Sequence, residues 1–236
     1  MRFRDRIEAG QLLAKRLSKY ANRPDVLVLA LPRGGVPVAC EVARELNAPL
    51  DVLVVRKLGV PGQEELAMGA TAGGVRVLNE ALIQSLGIDD GLLNAVAARE
   101  SREVERRERI YRGGRPAPDA RGRTVIVVDD GIATGSTMKA AVIVLRRLEA
   151  SRIVVAAPTA ALSTVRGMRG DANEFITVMT PADFGSVGEW YEDFTQTTDE
   201  EVCRLLERAH TEHETRKIAG AKDRATAPFS AKRGEA

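Results

Sequence analysis

The stretch Val125-Ile-Val-Val-Asp-Asp-Gly-Ile-Ala-Thr-Gly-Ser-Thr137 decides the fold. Its opening run of β-branched residues reads as a strand buried on both faces, the habit of a parallel sheet covered by helices. Asp129 and Asp130 follow at the C-terminal end, and a small, hydroxyl-rich turn leads straight into a helical pattern at Met138. In an open α/β sheet the ligand crevice lies at the carboxyl ends of the strands. There the backbone N–H groups of Ala133, Thr134, Gly135, Ser136 and Thr137 would point at an anion, and Gly135 would let the backbone come close. The hydroxyls of Thr134, Ser136 and Thr137 add hydrogen bonds, so a phosphate fits. The two carboxylates would repel it at short range and suit neutral hydroxyls instead, because a carboxylate only accepts while a sugar diol offers two donors. A phosphorylated sugar satisfies both halves.

Outward from this stretch, similar apolar runs recur at residues 26–31, 51–58, 152–158 and 174–180. Helical patterns at 36–47, 137–150 and 162–169 fall between strands, with others at 6–20 and 199–217. Strand and helix in alternation predict an α/β fold, a doubly wound and mainly parallel five-stranded sheet. Residues 59–123 interrupt the rhythm as an insertion. It is predicted to hold a flexible loop at 59–65, a hairpin turning at Gly73-Gly74, and a polar helix over 99–112. In that helix six Arg and four Glu include Glu103 and Arg107 at the favourable i, i+4 spacing, which suits a solvated face, an interface or a flap. Residues 1–216 form one domain in this reading, with a small hood at 181–197 and a disordered basic tail at 217–236.

Charge and cysteine content exclude several classes. The chain has 236 residues and a formal charge of +2. From Arg216 onward basic residues outnumber Asp223 and Glu235, so the body before them is faintly acidic. A nucleic-acid binder needs its surplus of Lys and Arg on the folded part, which argues against nucleic acid as a partner. Cys40 and Cys203 are far apart and outside any CxxC or Cys/His cluster, so neither a disulfide framework nor a structural zinc site is expected, and both read as buried thiols. His210 and His213 read as exposed helix residues. No apolar leader-like segment and no run long enough to span a bilayer is visible, and a cytoplasmic protein is expected. Neither GxxxxGK[ST] nor GxGxxG occurs, which removes the main support for nucleotide triphosphate or dinucleotide binding.

Residues 125–137 resemble the phosphoribosyl pyrophosphate (PRPP) motif of the type I phosphoribosyltransferases at every position: hydrophobic run, two acids, two variable residues, then small, Thr, Gly, small, Thr. The wider layout is similar to bacterial phosphoribosyltransferases of undefined substrate. The resemblance implies transfer of the 5-phosphoribosyl group from PRPP to a nitrogen acceptor, with release of pyrophosphate. It implies that Asp129 and Asp130 hold the ribose hydroxyls, and that Ala133 to Thr137 cradle the 5′-phosphate. Mg²⁺ would be held mainly by pyrophosphate, ribose hydroxyls and water, without a site built from protein ligands. Some purine-specific relatives place an acid, as a general base, where this chain has Ala133, so the resemblance speaks against 6-oxopurine salvage, although adenine-type relatives also have Ala there. A PRPP-sensing regulator of the same fold is the alternative the resemblance allows, and a homo-oligomer is compatible with either.

The family's pyrophosphate loop follows the first core strand, where this chain has Pro32-Arg-Gly-Gly35. Arg33 offers a planar, permanently charged donor set, and Gly34 and Gly35 permit a tight backbone beside an anion; a plain strand-to-helix turn is the competing reading. Arg56 and Lys57 stand where relatives often place basic groups that reach the pyrophosphate, and the loop beyond would shield the reaction from water. Phe184, Trp190, Tyr191 and Phe194 cluster after the fifth core strand, at the ligand edge. Phe184 and Asp183 are the candidate contacts to a small heterocyclic acceptor; alternatively the rings dock the C-terminal helix.

Overall fold

A computed structural model describes residues 2–226, the side chains of residues 64, 65 and 220–226 excepted. The chain opens with helix α1 (Arg6–Arg16), strand β1 (Val26–Ala30), helix α2 (Gly35–Leu46) and the short strand β2 (Leu50–Val52). The insertion follows, as strands β3 (Arg56–Val60), β4 (Gln63–Ala72) and β5 (Val75–Leu78) and helices α3 (Glu80–Leu86) and α4 (Asp90–Arg112). The chain then returns through β6 (Thr124–Val128), α5 (Ser136–Arg147), β7 (Arg152–Thr159), α6 (Leu162–Gly167) and β8 (Glu174–Met179), and ends in α7 (Asp199–Thr226).

Five strands form one sheet in the order β2-β1-β6-β7-β8, every pair parallel. Because β1 and β6 are so completely apolar, side chains of alternate parity feed two cores. Val26, Val28, Ile126 and Val128 pack with α1, α2 and α7, while Leu27, Leu29, Val125 and Val127 pack with α5 and residues of the small sheet. From β1 the chain winds first to β2 on one side, then returns to β6 on the other. The loops leaving β1 and β6 therefore diverge at the same gap, the switch point where open α/β sheets bind ligands.

Three expectations change. Residues 51–58 are not one core strand: β2 stops at Val52, and β3 belongs to a separate antiparallel sheet with β4 and β5. Arg56 and Lys57 could not continue between two apolar layers without stranding their charges, so the chain leaves the parallel sheet before them. The 59–65 loop is a hairpin turn, with Val60 paired to Gln63 and Gly62 at φ +79°. Finally, α4 begins at Asp90, well before Arg99, since Leu93, Val96 and Ala97 give its first half an apolar stripe against Leu58 and Met68. The hairpin at Gly73-Gly74 lies as its glycines predict, both at positive φ between β4 and β5.

At the other end, α7 continues to Thr226, so residues 217–226 are helical where a tail was expected; Ala, Lys and Arg there are good helix formers. Residues 227–236 of the expected tail lie outside the described residues. Cys40 is buried, but Cys203 is only half-buried, on α7 beside the carbonyl of Ile110. Among the described residues no helix is long and apolar enough to cross a membrane.

Candidate functional site

Strand β6 delivers Asp129 and Asp130 to the switch point, and the loop from β1 lies directly against them. Leu31 N–H donates to the carbonyl of Val128 at 2.8 Å, which pins that loop to the end of β6. A Cβ at Gly34 would stand 2.1 Å from Asp130 Oδ2, and one at Gly35 2.7 Å from the carbonyl oxygen of Val128. Both glycines are thus required by proximity: Gly34, with φ −59°, has an ordinary helical conformation. The Pro32–Arg33 peptide is cis. Arg33 is half-buried and points an Nη1 at Asp199 Oδ1, 3.9 Å away at the start of α7, and Tyr111 donates its hydroxyl to that same oxygen at 2.7 Å.

The acid pair is electrostatically strained. Asp129 Oδ1 accepts the backbone N–H of Asp130 at 2.9 Å. Burial, and then the charge of Asp130, push the Asp129 carboxyl well above the usual carboxylate range. Burial also raises Asp130, opposed by Arg6, whose Nε donates to Asp130 Oδ2 at 2.8 Å. The carbonyl of Asp130 accepts the Tyr191 hydroxyl at 2.6 Å, and burial followed by the Asp130 charge holds that phenol far above its ordinary value.

The turn after the acid pair has the features expected of a phosphate loop. Gly135 caps α5 at φ +73°, and a Cβ there would also meet Thr164 Cγ2 at 2.6 Å, so glycine is demanded twice. Thr134, Ser136 and Thr137 lie at the N-terminus of α5, with the Thr134 and Ser136 hydroxyls 3.2 Å apart. Thr164, from α6, donates to the carbonyl of Ala133 and fixes the turn from behind. The amides and hydroxyls of this loop, the acid pair and the 32–35 loop therefore line one edge of the sheet.

Other predicted residues divide. Arg56 is committed to α4: its Nε and Nη2 donate to Glu100 Oε2 at 2.9 and 2.8 Å, and Glu100 is buried. Lys57, next along the strand, faces the other side. It shares that side with its partner Ala70 and with Val77, which packs in the α5 core. Asp183 is exposed, and Phe184 is stacked on Trp190 with ring centroids 6.0 Å apart. The other rings dock the N-terminal segment in place of the C-terminal helix. Phe3 lies 5.4 Å from Tyr191, and Phe3 N–H donates to the carbonyl of Trp190 at 2.8 Å. This 181–197 segment rests on the site, with Val187 against Gly131 so closely that a Cβ there would be 2.3 Å from Val187 Cγ1.

Sequence reasoning missed Arg6 and Asp199, and named Tyr191 only as one ring of the aromatic cluster. A signal existed for Arg6 alone: it is the first residue of α1, where a cation opposes the helix dipole and calls for an outside partner.

Comparison with known proteins agrees with this geometry. The model of the phosphoribosyl transferase domain matches residues 5–177. Two curated Mycobacterium tuberculosis proteins, one named "Putative phosphoribosyl transferase Rv0571c", are 48% identical over 227 residues and 96% of this chain. That alignment covers 50% of their length, so the chain spans about half the length of the curated relatives it matches. Among solved structures, TT1426 from Thermus thermophilus is 43% identical with a TM-score of 0.79, over 87% of this chain and 98% of that one. With a family model running through β1, the acid pair and the turn into α5, and relatives this similar along nearly the whole sequence, the chain belongs to the phosphoribosyl transferase domain family.

Proposed function

We propose that the chain transfers the 5-phosphoribosyl group from PRPP to a nitrogen of a nucleobase or related heterocycle and releases pyrophosphate. The observation that supports it most directly is the contact between the 32–35 loop and the acid pair, with a Gly34 Cβ position 2.1 Å from Asp130. A sugar-diol acceptor and an anion-binding loop at that separation suit a ribose whose C1 carries pyrophosphate.

In this reading the amides and hydroxyls of residues 133–137 hold the 5′-phosphate at the N-terminus of α5. Asp129 and Asp130 accept hydrogen bonds from the ribose hydroxyls. Arg33, braced by Asp199, and the amides of Gly34 and Gly35 hold the pyrophosphate. As the C1–O bond breaks and the acceptor nitrogen bonds to C1, positive charge develops on the ring and negative charge on the leaving group. Clamping that leaving group and aligning the nitrogen supply the acceleration, and no covalent enzyme intermediate is needed. Lys57 is the better candidate of the basic pair for reaching the pyrophosphate, because Arg56 is engaged by Glu100. Asp183 and Phe184 meet the acceptor from the 181–197 segment. Mg²⁺ would supply counter-charge to the pyrophosphate, the hard cation's usual role with phosphates. The residues fit an ion carried by the pyrophosphate better than one ligated by the acid pair, because Arg6 already occupies Asp130 Oδ2 and the Asp130 N–H occupies Asp129 Oδ1.

Calorimetric titration with PRPP and Mg²⁺ tests the ligand, and pyrophosphate release across a library of heterocycles tests the reaction. Asp130→Asn should fold and lose about tenfold or more in PRPP affinity, as expected for removing a charge-assisted acceptor. Unchanged affinity in that variant contradicts the diol role, and no PRPP binding by the wild type overturns the reading.

A further inference from the structure

Arg6 reaches the acid pair from the opposite end of the chain. Besides its bond to Asp130, its Nη1 donates to the carbonyl of Thr195 at 2.8 Å, and its guanidinium carbon lies 4.0 Å from the centre of the Phe194 ring. The Arg6 and Asp130 side chains are only 11% and 12% exposed. A cation this shielded, at a helix N-terminus that disfavours it, is held there by what it touches. The segment just before it is anchored too: Glu192 N–H donates to the carbonyl of Phe3, and Asp193 N–H to that of Arg4. One guanidinium thus ties α1, the 181–197 segment and the acid pair together.

We propose that Arg6 is a positioning residue for the sugar site: through its bond to Oδ2 it orients Asp130 and couples the 181–197 segment to it. The identity of the ligand rests on the phosphoribosyl reading, but the pairing does not. Oδ2 of Asp130 accepts from Arg6 Nε on one side and on the other lies 2.1 Å from where a Cβ of Gly34 would stand, so the N-terminal helix and the 32–35 loop together set its orientation. The groups that face Asp130 are few. Asp129 lies beside it on the same strand end, Arg6 comes from α1, the Tyr191 phenol comes from the 181–197 segment, and the 32–35 loop offers only backbone at Gly34. Arg6 is the cation among them. Burial raises both carboxyls, and Arg6 is what lowers Asp130, leaving Asp129 as the member that keeps a proton more readily.

The test is a ¹³C carboxyl titration of the unliganded protein. In Arg6→Gln the Asp130 midpoint should rise by about one unit or more, the size expected for losing a close opposite charge; in Arg6→Lys it should stay within about half a unit of wild type. A purely structural role would lower the melting temperature and leave the midpoint in place, and an unmoved midpoint in Arg6→Gln overturns the proposal. If Arg6→Gln does not fold, Asp130→Ala, which removes the acceptor altogether, read at the Arg6 Nε–H resonance decides: loss of its protected signal supports the pairing, and its persistence refutes it. With PRPP as probe, Arg6→Gln should bind about tenfold more weakly, as expected for losing the group that orients a charge-assisted acceptor. Equal or tighter binding would make Arg6 a competitor for the site and overturn the positioning role. Wild-type protein that ignores PRPP would sink the phosphoribosyl reading, while the carboxyl titration would still decide on Arg6.

Discussion

At the carboxyl edge of the parallel sheet two neighbouring carboxyls share a single cation, Arg6, whereas in the insertion two arginines, Arg56 and Arg99, converge on one buried carboxylate, Glu100. The surplus differs in sign and in its access to water. Arg56 and Arg99 remain 39% and 70% exposed, so water solvates the excess positive charge, and the cluster serves as a clamp between β3 and α4. The acid pair lies in a crevice closed by the 32–35 loop and Val187, where excess negative charge is costly and glycine is enforced at three positions. Tension of that kind is useful only if a ligand relieves it, and hydroxyl donors would do so.

Replacing a glycine with alanine in each region should expose the difference most strongly. At Gly35 the new Cβ would meet the Val128 carbonyl oxygen at 2.7 Å and Asp129 Cα at 3.0 Å, backbone atoms that cannot swing aside. Gly35→Ala should cost about 3 kcal/mol, the upper end of overpacking penalties, and abolish PRPP binding. At Gly74, with φ +76° and open space around it, only the backbone conformation is strained, and Gly74→Ala should cost about 1 kcal/mol and leave binding intact. Denaturant unfolding measures both; equal losses would erase the distinction between a packed site and a plain turn.

A smaller effect separates the two basic residues. Arg56→Ala strips a partner from buried Glu100 and should lower stability by about 1–2 kcal/mol, less than for a fully buried pair because Arg56 is partly exposed. Lys57→Ala, half-buried on the opposite side of β3, should cost less than about 1 kcal/mol, less than Arg56→Ala, yet weaken PRPP binding. The reverse outcome, with Arg56→Ala failing in binding alone, would move the pyrophosphate contact to Arg56 and break the clamp interpretation.

The same contrast explains what the sequence revealed. The parallel sheet was legible because β1, β6 and β7 are apolar on nearly every residue, and because the acid pair and its turn are contiguous in the chain. The 32–35 loop was legible from its glycines and its place after β1, although proximity, not unusual φ, is what Gly34 needs. The insertion was harder to read. Whether 51–58 is one strand or two depends on whether Arg56 finds Glu100, a partner 44 residues away that no local pattern announces. Arg6 carried only a weak signal, a cation at a helix start, because the partner that explains it, Asp130, is 124 positions away. Aromatic clustering at 184–194 marked the right edge of the sheet but not the partner, since Phe3 and Arg6 arrive from the N-terminus.

The gentlest test concerns pH. Asp129 has a folded-state pKa raised above its unfolded value by burial and by Asp130. Between those two values the folded protein binds more protons than the unfolded chain, so stability falls as pH rises through the window. Asn at this position has no proton to lose, and its Oδ1 can still accept the Asp130 N–H. Asp129→Asn should therefore be more stable than wild type at neutral pH by about 1 kcal/mol, a gain of roughly 2–4 °C in melting temperature for a chain of this size. The gain should vanish as pH falls through the ordinary carboxylate range, while PRPP affinity is lost throughout. Glu103, on α4, makes the opposite case. Hydrogen bonds from Arg106, then Arg107, hold it at about 2, so whatever it contributes is present at neutral pH and fades on acidification. Scanning melting temperature against pH for Asp129→Asn and Glu103→Gln should give differences from wild type of opposite sign. A loss of stability at neutral pH in Asp129→Asn would mean that the acid pair is a structural element like Glu100 and not a strained site awaiting a diol.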